Sequence, residues 1–293
     1  MKPDPRFVSQ PKSFWANVRA IGQEAGYTKR TRGSRQQQSA GGRIKVPDVP
    51  EMLKAMTTLG LGSSHIADEA GNVSKTGRML QAYFKCRADI LNDYVEPRLM
   101  DRERAKSLFE KLFAELKPAC PLPMNKQKRE KKAKAFFTGI VNMLIEAHSE
   151  GLACDFDPRK LTVVTRDRMP LRTMARRFDG AFPSLMDPIA VWEIKEYYNT
   201  KTFGSRVADA VYESLLDGME LRELREHEDV SVKHFLMIDD HYTWWECGRS
   251  YLCRLIDMLH MGYVDEVLFG YEVVERLPKN VRQWVQIARS RQD

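Results

Sequence analysis

The stretch RRFDGAFPSLMDPIAVWEIKEYY, residues 176–198, sets three charged side chains, Asp179, Glu193 and Lys195, inside two segments that otherwise have the composition of buried strands. Residues two apart on a strand share a face, so Glu193 and Lys195 point the same way at the end of a strand that opens Ile-Ala-Val-Trp. Asp179 lies near the end of the preceding strand, with the short connection PSLMDP between the two. Pairing as a hairpin brings Asp179 close to Glu193. Two carboxylates held together at low dielectric repel each other unless a cation offsets them. Mg²⁺ does this, because it suits carboxylates combined with waters and phosphate oxygens. A lysine ammonium beside them is placed to polarise water or to steady charge building up on phosphorus. These residue types together meet the needs of metal-assisted phosphodiester hydrolysis. A Glu–Lys pair at an exposed strand end is common; the aspartate and the strand context on both sides give this one its weight.

The flanking segments extend the pattern. The spacing predicts a helix opening with NKQKREKKAK and continuing through the apolar face Phe137, Ile140, Val141 and Leu144. Strand composition follows at 161–165, 171–182 and 189–198. A helix over 204–224, a strand at 234–239, a helix over 247–262, a strand at 266–274 and a last helix over 279–290 complete the chain. Three strands in series, then alternating helices and strands, predict an α/β mixed sheet with helices on both faces. Residues 47–118 read as helical, and PACPLP at 118–123 reads as a linker. The expected domains are a basic flexible arm over 1–46, an all-helical DNA-engaging module over 47–120 and a catalytic domain over 121–293.

The FDG and EIK elements resemble the motif of the PD-(D/E)XK nucleases, the restriction-endonuclease-like superfamily. Asp179 matches the motif's aspartate, Glu193 its second acid and Lys195 its lysine, while Phe178 replaces the motif's proline. The resemblance covers roughly residues 125–275, where the α-β-β-β-α-β order is also that of the family core. It implies a restriction-endonuclease-like sheet and Mg²⁺-dependent cleavage of double-stranded DNA, with Mn²⁺ able to substitute. Restriction or phage defence is the expected setting, and a type II restriction endonuclease is the most concrete version. Such nucleases often add a glutamate from the helix before the sheet, for which Glu146 is the candidate. A homodimer is an allowed assembly. A DNA-binding regulator or assembly subunit with a vestigial site, or a structure-specific repair nuclease, are the competing expectations.

The charge is unevenly spread. Residues 1–46 hold ten Lys and Arg against two acids, a net of +8, while the whole chain carries +7. An arm of this density, with Gly, Ser and Gln between the bases, is suited to phosphate contact, with Arg30, Arg32 and Arg35 at its centre. The competing reading is that Phe14, Trp15 and Val18 anchor the segment to the body. Lys201 and Arg206 flank the helix start after the catalytic strand, which favours phosphate, and Arg177 shares the strand face of Asp179. Residues 50–95 allow a helix-turn-helix whose later helix opens with Lys75 and Arg78. Trp244 and Trp245 suit base stacking if exposed, and the core if not.

Other classes are disfavoured. No apolar run approaches the ~20 residues of a membrane span, and the first residues lack a secretory layout. The five cysteines are scattered and odd in number, which favours reduced thiols and a cytoplasmic setting. The spacing of His241, Cys247, Cys253 and His260 matches no usual zinc pattern. There is no G-x-x-x-x-G-K-[ST] motif, so no nucleotide cofactor is expected.

Overall fold

The computed structural model describes residues 1–28, 42–127, 130–198 and 205–291. Arg30, Arg32, Arg35 and Lys201 lie outside the described residues. The chain forms two compact units, one built from residues 3–97 and 244–261, the other from 1–2, 98–243 and 262–293.

The first unit is helical. It begins with α1 (Pro5–Val8), α2 (Lys12–Ala25), α3 (Val49–Thr58) and α4 (Lys75–Asp89). Asp48 and Glu51 close a reciprocal capping box on α3, and Ser74 caps α4 through the Gly77 N–H. The expectation of a flexible arm over 1–46 fails for the part that is described. Phe7, Phe14, Trp15, Val18 and Ile21 are buried in one core with Met52, Leu80 and Phe84. Their three-to-four-residue spacing makes α2 amphipathic, and burial of that face outweighs the repulsion of its bases. The helix-turn-helix is also corrected. Residues 59–74 connect α3 to α4 and contain an Ala67–Val73 bridge, far longer than the three- or four-residue turn of that motif.

The second unit is mixed α/β. It contains α5 (Arg102–Leu116), a hairpin of β1 (Met124–Gln127) and β2 (Glu130–Lys134), α6 (Phe136–His148), then β3 (Asp155–Phe156), β4 (Val163–Arg166), β5 (Met169–Thr173), β6 (Gly180–Phe182) and β7 (Ala190–Glu196). After α7 (Ser205–Glu228) and β8 (Lys233–Asp239), the chain contributes α8 (Arg249–His260) to the helical unit. There the buried Arg87 pairs with Asp257 at 3.0 Å, and Tyr83 donates to the same carboxylate at 2.5 Å. These buried bonds explain why residues 244–261 leave the domain expected over 121–293. The chain then returns with β9 (Glu266–Phe269) and α9 (Glu272–Ser290). Among the described residues, no helix is long and apolar enough to cross a membrane.

The five-stranded sheet has the order β3-β6-β7-β8-β9. Strands β3, β6 and β7 are antiparallel, whereas β7, β8 and β9 are parallel. One face, with Ala190, Trp192 and Ile194, packs in a core with residues of α5, α6 and α9. On the other face, Val191 packs with Leu221 and Leu224 of α7.

Three boundaries differ from expectation. The described part of the NKQKREKKAK run, residues 125–127 and 130–134, lies in the paired strands β1 and β2 instead of a helix start. The strand expected over 171–182 divides into β5, paired with β4, and β6 in the main sheet. Arg172 and Arg176 are drawn to Glu220, Glu223, Glu213 and Asp217 of α7, which takes the intervening backbone out of both ladders. The strand expected over 266–274 stops at Phe269, where Gly270 adopts φ +48° and the Glu272 side chain accepts from Phe269 N–H. From Val273 the buried positions Leu277, Val281, Trp284 and Ala288 follow a helical period.

Candidate active site

The site is a row across three strands. Phe156 stands opposite Gly180, and Gly180 opposite Trp192. One residue further along, Asp157, Asp179 and Glu193 therefore come into line. Asp157 N–H donates to the Asp179 carbonyl at 2.9 Å, and Asp179 N–H to the Trp192 carbonyl at 3.0 Å. The row runs from the exposed Asp157 through the half-buried Asp179 to the buried Glu193. Gly180 permits this close pairing: a Cβ on it would lie 2.1 Å from the indole of Trp192.

Asp179 is where the sequence expectation puts it, across the hairpin from Glu193, although it precedes its short strand instead of ending it. Its Oδ2 accepts from Ile194 N–H at 2.7 Å. Its Oδ1 has no hydrogen-bond partner among the described residues. Burial pushes its carboxyl up to about 7, with the neighbouring Glu193 adding and Lys195 opposing.

Glu193 is held at both oxygens. Lys195 Nζ reaches Oε2 at 3.0 Å, and Arg176 Nη1 reaches Oε1 at 2.7 Å. Helix α7 closes the cluster. Glu213 accepts from Lys195 at 2.8 Å and Arg176 at 3.3 Å, and Asp217 accepts from Arg176 at 2.7 Å. Gly218 lets α7 come close, since a Cβ there would meet the Tyr263 carbonyl at 2.3 Å. Burial raises the Asp217 carboxyl to about 7 against the pull of Arg176. Burial opposes the charge of Lys195, but Glu193 and Asp179 override it and hold the ammonium above its usual range. Four carboxylates (Asp179, Glu193, Glu213, Asp217) face two cations, Lys195 and Arg176. With every group ionised the cluster carries −2, the charge one divalent cation balances.

Two hollows meet at Asp157 and Asp179. One of about 530 Å³ is also bordered by Thr138 and Asn142 of α6; the other, of about 260 Å³, is bordered by Arg176 and Arg177. A larger hollow of about 610 Å³ in the helical unit is lined by Phe14, His65 and Lys75, with no carboxylate among its described residues.

The other expected residues are placed less centrally. Glu146 accepts from Ala119 N–H at 3.0 Å and lies beside Cys120, whose thiol burial and Glu146 together raise to about 12. Asn142 and Thr138, one and two turns earlier on α6, border the hollow that Glu146 was expected to serve. Arg177 is exposed at the smaller hollow, while Arg206 is exposed at the start of α7. Lys75 and Arg78 are exposed on α4 in the other unit. Trp244 and Trp245 are buried, which removes them as stacking platforms. Sequence reasoning missed Asp157, Glu213 and Asp217, and singled out Arg177 where the acids hold Arg176. One signal was present: Asp217 interrupts the otherwise uncharged stripe Val207, Ala210, Val211, Ser214, Leu221 and Leu224 on the buried side of α7.

Geometry defines an α/β unit with a row of acidic residues at the open end of a hairpin. Residues 100–284 match the model of a domain of unknown function, DUF7687, and the chain belongs to that family. Residues 1–94 match a second domain of unknown function, DUF7690. No curated protein and no solved structure matches the chain.

The raised carboxyl of Asp179 has a thermal consequence. With a folded value of about 7 against 3.8 unfolded, the folded state binds more protons between these limits. Its contribution to stability is present below pH ~4 and is lost as pH rises through 7. Asp179→Asn removes that loss. The metal-free variant is expected to melt above the wild type at pH 8 and level with it near pH 4; a thermal-melt series in EDTA checks this. A gap that shrinks with rising pH contradicts it.

Proposed function

We propose that the α/β unit is a divalent-metal-dependent nuclease of the restriction-endonuclease-like PD-(D/E)XK kind, cutting double-stranded DNA in a restriction or phage-defence role. The observation that carries this reading is the cross-hairpin register of Asp179 and Glu193, with Lys195 bonded to Glu193. Asp179 fits a Mg²⁺ ligand: it borders both hollows, keeps Oδ1 free, and bears an ionisation penalty that a cation would relieve. Among the described residues no group of three His, Cys, Asp or Glu converges as a ready metal cage. The ion would rest on Asp179 and Glu193 plus water and phosphate oxygens, as Mg²⁺ commonly does. When bound, it would supply Lewis-acid activation of water and shield the phosphate charge.

The chain's own groups supply the rest. Asp179, fixed through Oδ2 by the Ile194 amide, presents its other oxygen to the hollow. Lys195 is held between Glu193 and Glu213, which aims the ammonium and keeps it charged. Arg177 and Arg206 lend positive potential for the DNA backbone, the contact type that positions without reading sequence.

Purified protein is expected to nick or linearise plasmid DNA in Mg²⁺ or Mn²⁺, and to stop in EDTA. Ca²⁺ should permit DNA binding without turnover, because its looser coordination misplaces the water. Undiminished cleavage in EDTA would rule out this chemistry. A DNA-binding protein with a vestigial site is the second reading, and the engagement of both Glu193 oxygens by bases favours it. Duplex binding without cleavage in any of these ions would select it.

A further inference from the structure

Arg176 stands between the buried acids and the smaller hollow. Its guanidinium reaches Glu193 and Asp217 at 2.7 Å each through Nη1, and Glu213 at 3.3 Å through Nη2. A guanidinium has five N–H groups; among the described residues three are used, leaving Nε–H and one Nη2–H. The side chain is 24% exposed and borders the 260 Å³ hollow together with Arg177 and Asp179. Behind it one acid is under-satisfied: Asp217 is fully buried, and its Oδ1 has no partner among the described residues.

A cation cannot take Oε1 of Glu193 while Arg176 holds it. We propose that Arg176 is a positioning residue that occupies the cation's place on Glu193 in the free protein. It transfers to a phosphate of the DNA backbone when duplex enters the hollow, so that metal and DNA bind as a coupled pair. This rests on the nuclease reading above. Energetics favour the coupling. Withdrawing Arg176 alone would strand the buried Asp217 and leave Glu193 with Lys195 only, a cost of several kcal/mol for buried ions. A divalent ion entering as Arg176 leaves replaces one positive charge with two. The departing guanidinium finds a planar, bidentate match in phosphate. Lys195 keeps Oε2 throughout, so Glu193 stays oriented.

The test is calorimetric titration of Ca²⁺ into wild type, Arg176→Gln and Arg176→Lys, each with and without a DNA duplex. Wild type is expected to bind Ca²⁺ at least about tenfold more tightly when duplex is present, and by linkage duplex more tightly with Ca²⁺. Arg176→Gln should bind Ca²⁺ about tenfold more tightly than wild type without DNA, and the coupling should shrink by about fivefold. A purely structural role would not raise metal affinity. Arg176→Lys keeps the charge but has a shorter reach and no planar fork for phosphate, so it should fall between; it decides the matter if Arg176→Gln does not fold. Folded variants with wild-type Ca²⁺ affinity and coupling overturn the role of Arg176. If wild type meanwhile cleaves DNA in Mg²⁺, the nuclease reading stands. If wild type neither cleaves nor binds Ca²⁺ beside DNA, both fall together.

Discussion

Asp179→Asn is expected to lower DNA cleavage by about a thousandfold, the ~4 kcal/mol that losing a metal ligand removes from transition-state stabilisation. The amide is isosteric, its oxygen can still accept from Ile194 N–H, and the flanking hairpin bonds are backbone bonds, so the fold should survive. Mg²⁺ should raise the melting temperature of wild type and leave that of the variant unchanged. The separation matters, because an inactive variant that also loses its fold says nothing about chemistry. Lys195→Met is less clean, since it leaves the buried Glu193 with Arg176 as its one remaining base. Cleavage by Asp179→Asn at wild-type rate would place the active site elsewhere in the chain.

Gly180→Ala is expected to be among the most damaging single substitutions in the α/β unit, although it adds one methyl group. That methyl would sit 2.1 Å and 2.2 Å from two ring carbons of Trp192. The indole has nowhere to go: Trp192 is fully buried and stacked on Trp284 at 5.8 Å between ring centres. Overpacking of a closed core costs about 1–3 kcal/mol and sometimes more, and a loss at the upper end lowers the melting temperature by roughly 10 °C for a unit of this size. Cleavage should fall with stability, because Trp192 and Glu193 are adjacent. A chemical-denaturation curve with an unshifted midpoint would show that the sheet opens more readily than its packing implies.

That Asp179, Glu193 and Lys195 come together was legible because a strand has period two and a six-residue connection invites a hairpin. Neither inference needed knowledge of any distant part of the chain. The mixed sheet was legible for the same reason, from β-rich segments alternating with helical ones. What escaped was non-local. The chain breaks between β5 and β6 where α7 brings four acids over Arg172 and Arg176, and composition does not place that helix on that face. Asp157 enters the row through the pairing of β3, a strand of two residues that carries almost no pattern. Over residues 1–28 the arm was misjudged because charge density was weighed above the spacing of Phe14, Trp15, Val18 and Ile21. The last strand was overextended because Val273 and Val274 are β-branched, although Leu277, Val281 and Trp284 continue a helical stripe.

The carboxylate row is a product of strand register, and this makes the site sensitive to chain length as well as to side-chain identity. A single residue inserted between Gly180 and Phe182, or between Ala190 and Trp192, would shift one strand past the other by a step. Each side chain beyond the insertion would then turn to the opposite face. Asp179 and Glu193 would both remain in the chain and no longer meet. The same insertion within residues 183–188, the connection outside the ladder, would be absorbed as a longer loop. Related chains should therefore vary in length at that connection and keep a constant count on either side of it, even where the intervening residues change.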